Sequence, residues 1–407
     1  MNLTCLVIGA SHAASHLTAK LRVHGWEGRI TVVGEETYLP YHRPPLSKTY
    51  LSGEQNVDDI LIKSHAAYAK DEVHFTLGVR AEAIDCSTRK VRLDNGETLH
   101  YDKLALTTGA RPREVSLPGS DKQGIFYLRK LDDVDEIRCY LGSKKRAVIV
   151  GGGYIGLEAA AALRKIGMEV TVLEAMSRVL QRVTTEEISA FYQRIHSEEG
   201  VNIVVDTAVT HFDGGDSVEA VVCADGNTYA ADVVIIGIGV VPNIELAEAA
   251  GLEVGNGIVV DEYACTSDPD IVAAGDCTWH YNPIYDRHLR LESVQNANDQ
   301  ANVAAASVCG KREPYSALPW FWSDQYDLKL QIAGLSQGYD QVVVRGNIAS
   351  GRSFSVFYLY DGKLLAVDAL NKPGEFMLGK RILSQGLALD SSRLGDENTP
   401  LRELIID

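Results

Sequence analysis

One stretch constrains this chain more than any other: Arg146 to Ala175, RAVIVGGGYIGLEAAAALRKIGMEVTVLEA. Apolar Ala147 to Val150 predicts a buried strand, and Gly151-x-Gly153-x-x-Gly156 follows without a spacer, so the glycines sit where a strand hands over to a helix. In that helix Ile155, Ala159, Ala162, Leu163 and Ile166 recur at helical spacing, Gly167 ends it, and Glu169 to Leu173 supplies a second strand closing at Glu174. Strand, glycine turn, helix, strand and terminal carboxylate make a complete dinucleotide-binding unit. The glycines permit the tight turn and the approach of backbone to a pyrophosphate, the helix N-terminus faces its negative charge, and Glu174 can accept from a ribose diol. A carboxylate there repels a 2'-phosphate, which favours NADH over NADPH. Arg178 and Arg182 follow closely and would soften that preference.

The chain opens with a second copy of this unit. A strand from Cys5 to Ile8 leads into Gly9-Ala10-Ser11-His12-Ala13-Ala14, then a helix carrying Leu17 and Leu21, a stop at Gly25, and a strand Ile30 to Val33 ending at Glu35 and Glu36. This copy is degenerate. Ser11 stands where the middle glycine belongs and Ala14 replaces the third, although a serine hydroxyl can itself donate to phosphate. Each copy is followed by a strand meander with a tight turn, Asp94-Asn95-Gly96 in one and Asp225-Gly226-Asn227 in the other. Each then has a buried return strand, Lys103 to Thr108 before Gly109 and Val233 to Ile236 before Gly237-Ile238-Gly239. One cofactor would not need two copies; two dinucleotides would.

Between and beyond these units lie other candidates. Two prolines stiffen Tyr41-His42-Arg43-Pro44-Pro45-Leu46-Ser47-Lys48 and hold Ser47 and Lys48 in place. Ile271-Val272-Ala273-Ala274-Gly275-Asp276 predicts a short strand running to a helix start, with Asp276 either accepting from sugar-like hydroxyls or simply capping that helix. Gly257 to Tyr263 predicts a strand and Val294 to Val308 an alanine-rich helix. After Leu318-Pro319-Trp320-Phe321-Trp322-Ser323-Asp324 the pattern changes to strands at 328–333, 341–345, 353–360 and 364–369, then a helix near Phe376 to Ser384. The aromatics serve either a core or a planar redox ring.

At 407 residues the chain is too long for one core. A formal net charge of −16 argues against a nucleic-acid surface, and the apolar run Val233 to Val241 is too short to cross a bilayer. MNLTCLVIGA runs straight into a strand with no basic leader, so export is not expected. Seven cysteines, with no CxxC and none between Glu36 and Ala81, fit a reducing cytoplasm and argue against a disulfide reductase or an NADH peroxidase.

Over its whole length the chain resembles the FAD-dependent NADH:ferredoxin reductases of bacterial oxygenase systems. The matching motifs are RPPLSK at 43–48, GGGYIGLE at 151–158, GIGVVPN at 237–243, TSDPDIVAAGDC at 266–277 and PWFWSDQY at 319–326. The wider glutathione-reductase-like superfamily shares the fold and the GD motif but not that aromatic string. The resemblance implies an α/β protein with two Rossmann-like domains plus a C-terminal α+β domain built on an antiparallel sheet. The implied boundaries are FAD domain 1–113 and 243–319, NAD domain 114–242, and C-terminal domain 320–407.

It further implies an FAD site at Gly9, Ser11, Ala13, Ala14, Glu35, Arg43, Lys48, Ala81, Thr108, Gly109, Arg129, Gly275, Asp276, Val294 and Trp320. An NAD site is implied at Gly151, Gly153, Tyr154, Ile155, Gly156, Glu158, Glu174, Arg182, Gly237 and Gly239. Lys48, Glu158, Trp320 and Trp322 are implied in catalysis, with Lys48 near the reactive flavin nitrogen and Glu158 as its candidate partner. No metal site is expected. The implied partner is a [2Fe-2S] ferredoxin serving an oxygenase, the chain itself acting as a monomer. Rubredoxin reductase, monodehydroascorbate reductase and a flavoprotein acting by partner binding, like apoptosis-inducing factor, stay open as alternatives. Docking of an acidic ferredoxin would need local basic surface, for which Arg287, Arg290, Lys311, Arg312, Lys329 and Arg345 are candidates.

Overall fold

The computed structural model describes residues 3–406. They form two compact units, the first made of residues up to His42, Val57–Arg111 and Val240–Pro319, the second of Arg43–Asn56, Pro112–Gly239 and the segment from Trp320 onward.

In the first unit five parallel strands lie in the order Ile271–Ala273, Lys103–Leu106, Thr4–Ile8, Arg29–Gly34, Val73–Leu77. Period-two alternation along the apolar first strand decides which layer each residue joins. Cys5 and Val7 pack with Ala13, Leu17 and Leu21 of helix His12–His24 and with Ala301 and Ala304 of helix Val294–Val308. Leu6 and Ile8 pack on the opposite face with Ile84, Val91 and Leu93 of the antiparallel meander. Burial on both faces is why these strands read as continuous apolar runs. Helix His12–His24 stops at Gly25, whose φ of 97° puts it in the left-handed region.

The second unit repeats this plan. Its parallel sheet runs Val201–Val204, Glu169–Leu173, Arg146–Val150, Val233–Ile236, Ile125–Tyr127. First, second, third and return strands occupy the same places as in the first unit; only the fifth strand comes from a different part of the chain. A second, antiparallel sheet belongs to this unit, ordered Trp320–Gln325, Leu328–Gly334, Lys363–Leu370, Phe354–Tyr360, Gln341–Gly346, with helix Pro373–Gln385 packed through Phe376 and Ile382 onto Val367 and Ala369.

Several elements differ from expectation. No helix begins at Asp276: the chain passes through a turn into strand Thr278–Asn282, because Thr278, His280 and Asn282 alternate inward while Trp279 and Tyr281 are more exposed. The strand expected over 257–263 is confined to Ile258–Val260, since Asp261 accepts the backbone N–H groups of Tyr263 and Cys265 and folds the chain into a turn. Helix Glu186–Glu198 was not anticipated, although Thr185 caps it, Glu186 and Glu187 fill its first turn, and Ile188, Phe191, Tyr192 and Ile195 bury one face. Arg345 is not a surface cation. It is 4% exposed, pairs with Glu375 at 3.1 Å, and donates to the carbonyls of Leu394, Asp396 and Thr399, stitching the last segment to its sheet. Arg345→Met is therefore expected to destabilise the fold by about 3–5 kcal/mol, the cost of breaking one side of a buried pair, while Lys329→Met leaves the denaturation midpoint unchanged; urea unfolding compares them.

Asp368 is fully buried and accepts from the Tyr358 hydroxyl at 2.6 Å and from Thr184 at 3.2 Å, with no cation paired to it among the described residues. Burial pushes its carboxyl up to about 7. The folded state then holds a proton that the unfolded chain has released, so stability falls as pH rises from about 4, the unfolded carboxylate value, toward 7 and levels above it. Asp368→Asn keeps an acceptor for both hydroxyls without the charge. The variant should match the parent chain near pH 4 and melt at higher temperature at pH 8; a difference that does not change with pH would contradict this.

Candidate dinucleotide and redox site

The glycine turn of the second unit is held by two backbone bonds. Gly151 N–H donates to Leu173 O and Gly237 N–H donates to Val150 O, each 2.8 Å. A Cβ on Gly151 would stand 2.4 Å from Gly237 O, and one on Gly156 2.2 Å from Gly151 O, so packing alone forbids a side chain at either. Gly153 differs: a Cβ there would meet nothing within 4 Å. The open space in front of it lies at the start of helix Tyr154–Lys165, whose first turn has no side-chain cap. Bare N–H groups and a helix dipole facing open space fit an anionic pyrophosphate.

Glu174 ends the second strand with its carboxylate fixed by two backbone donors, Gly152 N–H at 2.7 Å and Met176 N–H at 2.8 Å. Each oxygen keeps a lone pair for a ribose hydroxyl. The two arginines behind it part ways. Arg178 is committed to the carbonyls of Thr184, Thr185 and Gln181 and to Ser189. Arg182 is exposed, and its guanidinium lies 3.8 Å from where a Cβ on Gly239 would stand.

The first unit reproduces the same pair of bonds: Gly9 N–H to Val33 O and Thr107 N–H to Ile8 O, each 2.8 Å. A Cβ on Gly9 would lie 2.2 Å from Thr107 O. Ser11 takes the place of Gly153 at the helix start, and its side chain does not cap its own helix. Ala14, in the place of Gly156, is buried without disturbing the turn, and Glu35 is exposed at the end of the second strand. Gly275, at φ 92°, brings the Gly-Asp turn against the helix start, a Cβ there being 3.4 Å from that of Ala13. Gln300 pins the turn by accepting from Gly275 N–H and Thr278 Oγ1, both 2.8 Å. Asp276 is half-buried beside it, Ala81 opens strand Ala81–Asp85, and Val294 begins the helix capped by Ser293. Thr108 and Asn243 exchange two hydrogen bonds, with Gly109 following at φ 65°. This cradle also fits a dinucleotide.

The second unit gathers the charged candidates. The Pro44–Ser47 turn delivers Lys48 to Glu158 at 2.7 Å, and Ser47 donates to the same carboxylate oxygen at 2.6 Å. Ser323 donates to the other oxygen at 2.6 Å. Glu158 is 5% exposed and Lys48 17%, so the pair is largely removed from water. Tyr154, one turn earlier on the same helix face, packs on Phe321 with ring centroids 5.1 Å apart, and its hydroxyl is buried. Ile155 is 41% exposed at the helix start. Trp320 and Trp322 alternate to the other face of their strand, their rings 5.7 Å apart, with Lys380 over Trp320. Arg43 donates to the Arg129 carbonyl at 2.7 Å. Ser323 was not anticipated as a partner of Glu158, although period-two spacing from Phe321 puts both on one face of the strand.

All seven cysteines are free. Among the described residues no helix is long and apolar enough to cross a membrane.

Comparison with known proteins places these features. Residues 3–301 match the model of the pyridine nucleotide-disulphide oxidoreductase family, and residues 320–405 match the reductase C-terminal family. The chain is 45% identical to putidaredoxin reductase CamA of Pseudomonas putida, over 98% of this chain and 96% of the relative. Among solved structures it is similar to the covalent putidaredoxin reductase–putidaredoxin complex, with a TM-score of 0.96, 44% identity, and 99% and 98% of the two chains covered. It is also similar to the ferredoxin reductase for the CYP199A2 system from Rhodopseudomonas palustris, with a TM-score of 0.95, 40% identity and 99% of each chain covered. The chain therefore belongs to the pyridine nucleotide-disulphide oxidoreductase family, and within it to the ferredoxin reductases.

Proposed function

We propose that this oxidoreductase passes electrons from NADH through FAD to a [2Fe-2S] ferredoxin that serves a cytochrome P450 or Rieske-type oxygenase. The observation that carries the reading is the repetition of one cradle, with the same two backbone bonds at Gly9 and at Gly151. In its support, its relatives include a putidaredoxin reductase and a ferredoxin reductase for the CYP199A2 system. When bound, FAD supplies the conversion of a two-electron hydride into single electrons. The chain's own residues bind, orient and balance charge. The turn at 9–14 takes one pyrophosphate and the turn at 151–156 the other, with Glu35 and Glu174 on the riboses. Glu174 favours NADH over NADPH. Lys48 supplies a cation for the ring that gains negative charge, and Glu158, with Ser47, fixes where that cation stands. Trp320 is assigned to the flavin, and Trp320 and Trp322 to the electron exit. The domain boundaries 1–113, 114–242, 243–319 and 320–407 are part of this proposal, as is a cytoplasmic location, which the seven free thiols support.

The direct test is the visible spectrum of the purified chain, its bleaching by NADH, and cytochrome c reduction with a panel of [2Fe-2S] ferredoxins. A colourless preparation that FAD does not reconstitute would sink the reading. Lys48→Met is expected to slow flavin reduction by about tenfold or more, with the NADH dissociation constant changed much less, since a charge balanced only as the reaction proceeds affects rate rather than binding. Stopped-flow absorbance separates the two.

Five basic residues remain for an acidic partner once Arg345 is removed. Arg287 and Arg290 are half-buried, Arg290 in an ion pair with Glu292, while Lys311, Arg312 and Lys329 are exposed. Reduction of the ferredoxin should therefore slow as salt is added while ferricyanide reduction does not. Equal salt responses in steady-state assays would remove the steering role.

A further inference from the structure

The aromatic string does more than present two tryptophans. On the inward face of strand Trp320–Gln325, Phe321, Ser323 and Gln325 follow one another at period two. Ser323 and Gln325 are 0% and 2% exposed, too deeply buried for solvent contact. They continue a line of polar groups leading away from Glu158. Ser323 Oγ lies 2.6 Å from Glu158 Oε1, Gln325 Nε2 3.2 Å from Ser323 Oγ, His196 Nε2 2.8 Å from Gln325 Oε1, and the Tyr326 hydroxyl 3.1 Å from His196 Nδ1.

The direction of every bond follows from the carboxylate. Glu158 is paired to Lys48 and can only accept, so Ser323 must donate its one proton to it. The Ser323 oxygen can then only accept from Gln325, which turns the amide Nε2 toward it and leaves Oε1 for His196. His196 must carry its proton on Nε2, and its bare Nδ1 accepts from Tyr326. Burial lowers the imidazole's affinity for a second proton, in keeping with a neutral ring.

We propose that Ser323, Gln325 and His196 are positioning residues for Glu158: a single line of hydrogen bonds, each donating toward the carboxylate, holds Oε1 and leaves Oε2 to Lys48 and Ser47. The role of Lys48 and Glu158 in the redox step rests on the function proposed above. The direction of the line does not.

Nitrogen NMR of the holoenzyme labelled at histidine, with His196→Gln assigning the signal, reads the tautomer directly. The expected result is Nε2–H for His196 in the parent chain and a mixture of tautomers in Ser323→Ala. An Nδ1–H ring in the parent chain, or an unchanged ring in Ser323→Ala, overturns the directed line. The positioning role is read by stopped-flow flavin reduction. Ser323→Ala is expected to slow it by about tenfold, the value of one hydrogen bond to a charged group, and the similar-sized Gln325→Met, which removes the neutral bond behind it, by less, about threefold to fivefold, with NADH affinity changed less than about twofold. Because the two act in series, the double variant should be no slower than Ser323→Ala alone. A double variant slowed by the product of the two single losses, as independent packing defects would give, rejects the positioning role. If Lys48→Met leaves flavin reduction unchanged, the redox assignment of the pair fails, and the tautomer still decides the line.

Discussion

A carboxylate that can only accept sets the arrangement of the second unit's interior. Glu158 is one turn into helix Tyr154–Lys165, the helix whose bare N-terminus faces the nucleotide turn. Two elements distant in sequence reach it: the Pro44–Ser47 turn, through Ser47 and the Lys48 that follows it, and strand Trp320–Gln325, through Ser323. Burying one charge is costly unless it is paired and its lone pairs are filled. Two hydroxyls and an ammonium meet both conditions. The same contacts tie the lysine and the aromatic strand to the helix that starts at the nucleotide cradle, so the charge that organises the interior also locates the candidate redox groups.

The two cradles show which parts of a dinucleotide turn the backbone requires and which the ligand requires. A Cβ on Gly9 or on Gly151 would stand 2.2–2.4 Å from the carbonyl of the residue just after the return strand, so neither copy tolerates a side chain there. The third position tightens in one copy and relaxes in the other: Gly156 would collide with Gly151 O, while Ala14 is accommodated. The middle position is unconstrained by the protein. Gly153 faces open space, and the glycine there makes sense only if something approaches the backbone closely. Ser11 stands at the equivalent place in the first copy, where its side chain does not cap its own helix.

Most of the architecture was legible because buried parallel strands write themselves as apolar runs and glycine turns punctuate them. Cys5 to Ile8, Glu169 to Leu173 and Val233 to Ile236 coincide with observed strands to within a residue. The pairing of Lys48 with Glu158 came from the family resemblance, since 110 positions of chain separate them and no local pattern joins them. What stayed hidden depends on tertiary partners. Arg345 reads as a surface cation until the carbonyls of 394–399 fold onto it, and Asp276 reads as a helix cap until the alternating residues after it pair as a strand. Helix Glu186–Glu198 was legible and overlooked: a threonine cap followed by two glutamates is a start signal in its own right.

Asp368 shows by contrast why Glu158 is built as it is. Both are buried carboxyls in the same unit, and both take hydroxyl donors at about 2.6 Å. Asp368 receives only neutral hydroxyls, which offset part of the desolvation, and its carboxyl is pushed up to about 7. Glu158 has an ammonium at 2.7 Å as well. The ion pair with Lys48 and the donor from Ser323 give the line of hydrogen bonds its fixed end, from which the proton positions of Ser323, Gln325 and His196 follow. A buried polar line of this kind specifies one arrangement only while every member is satisfied.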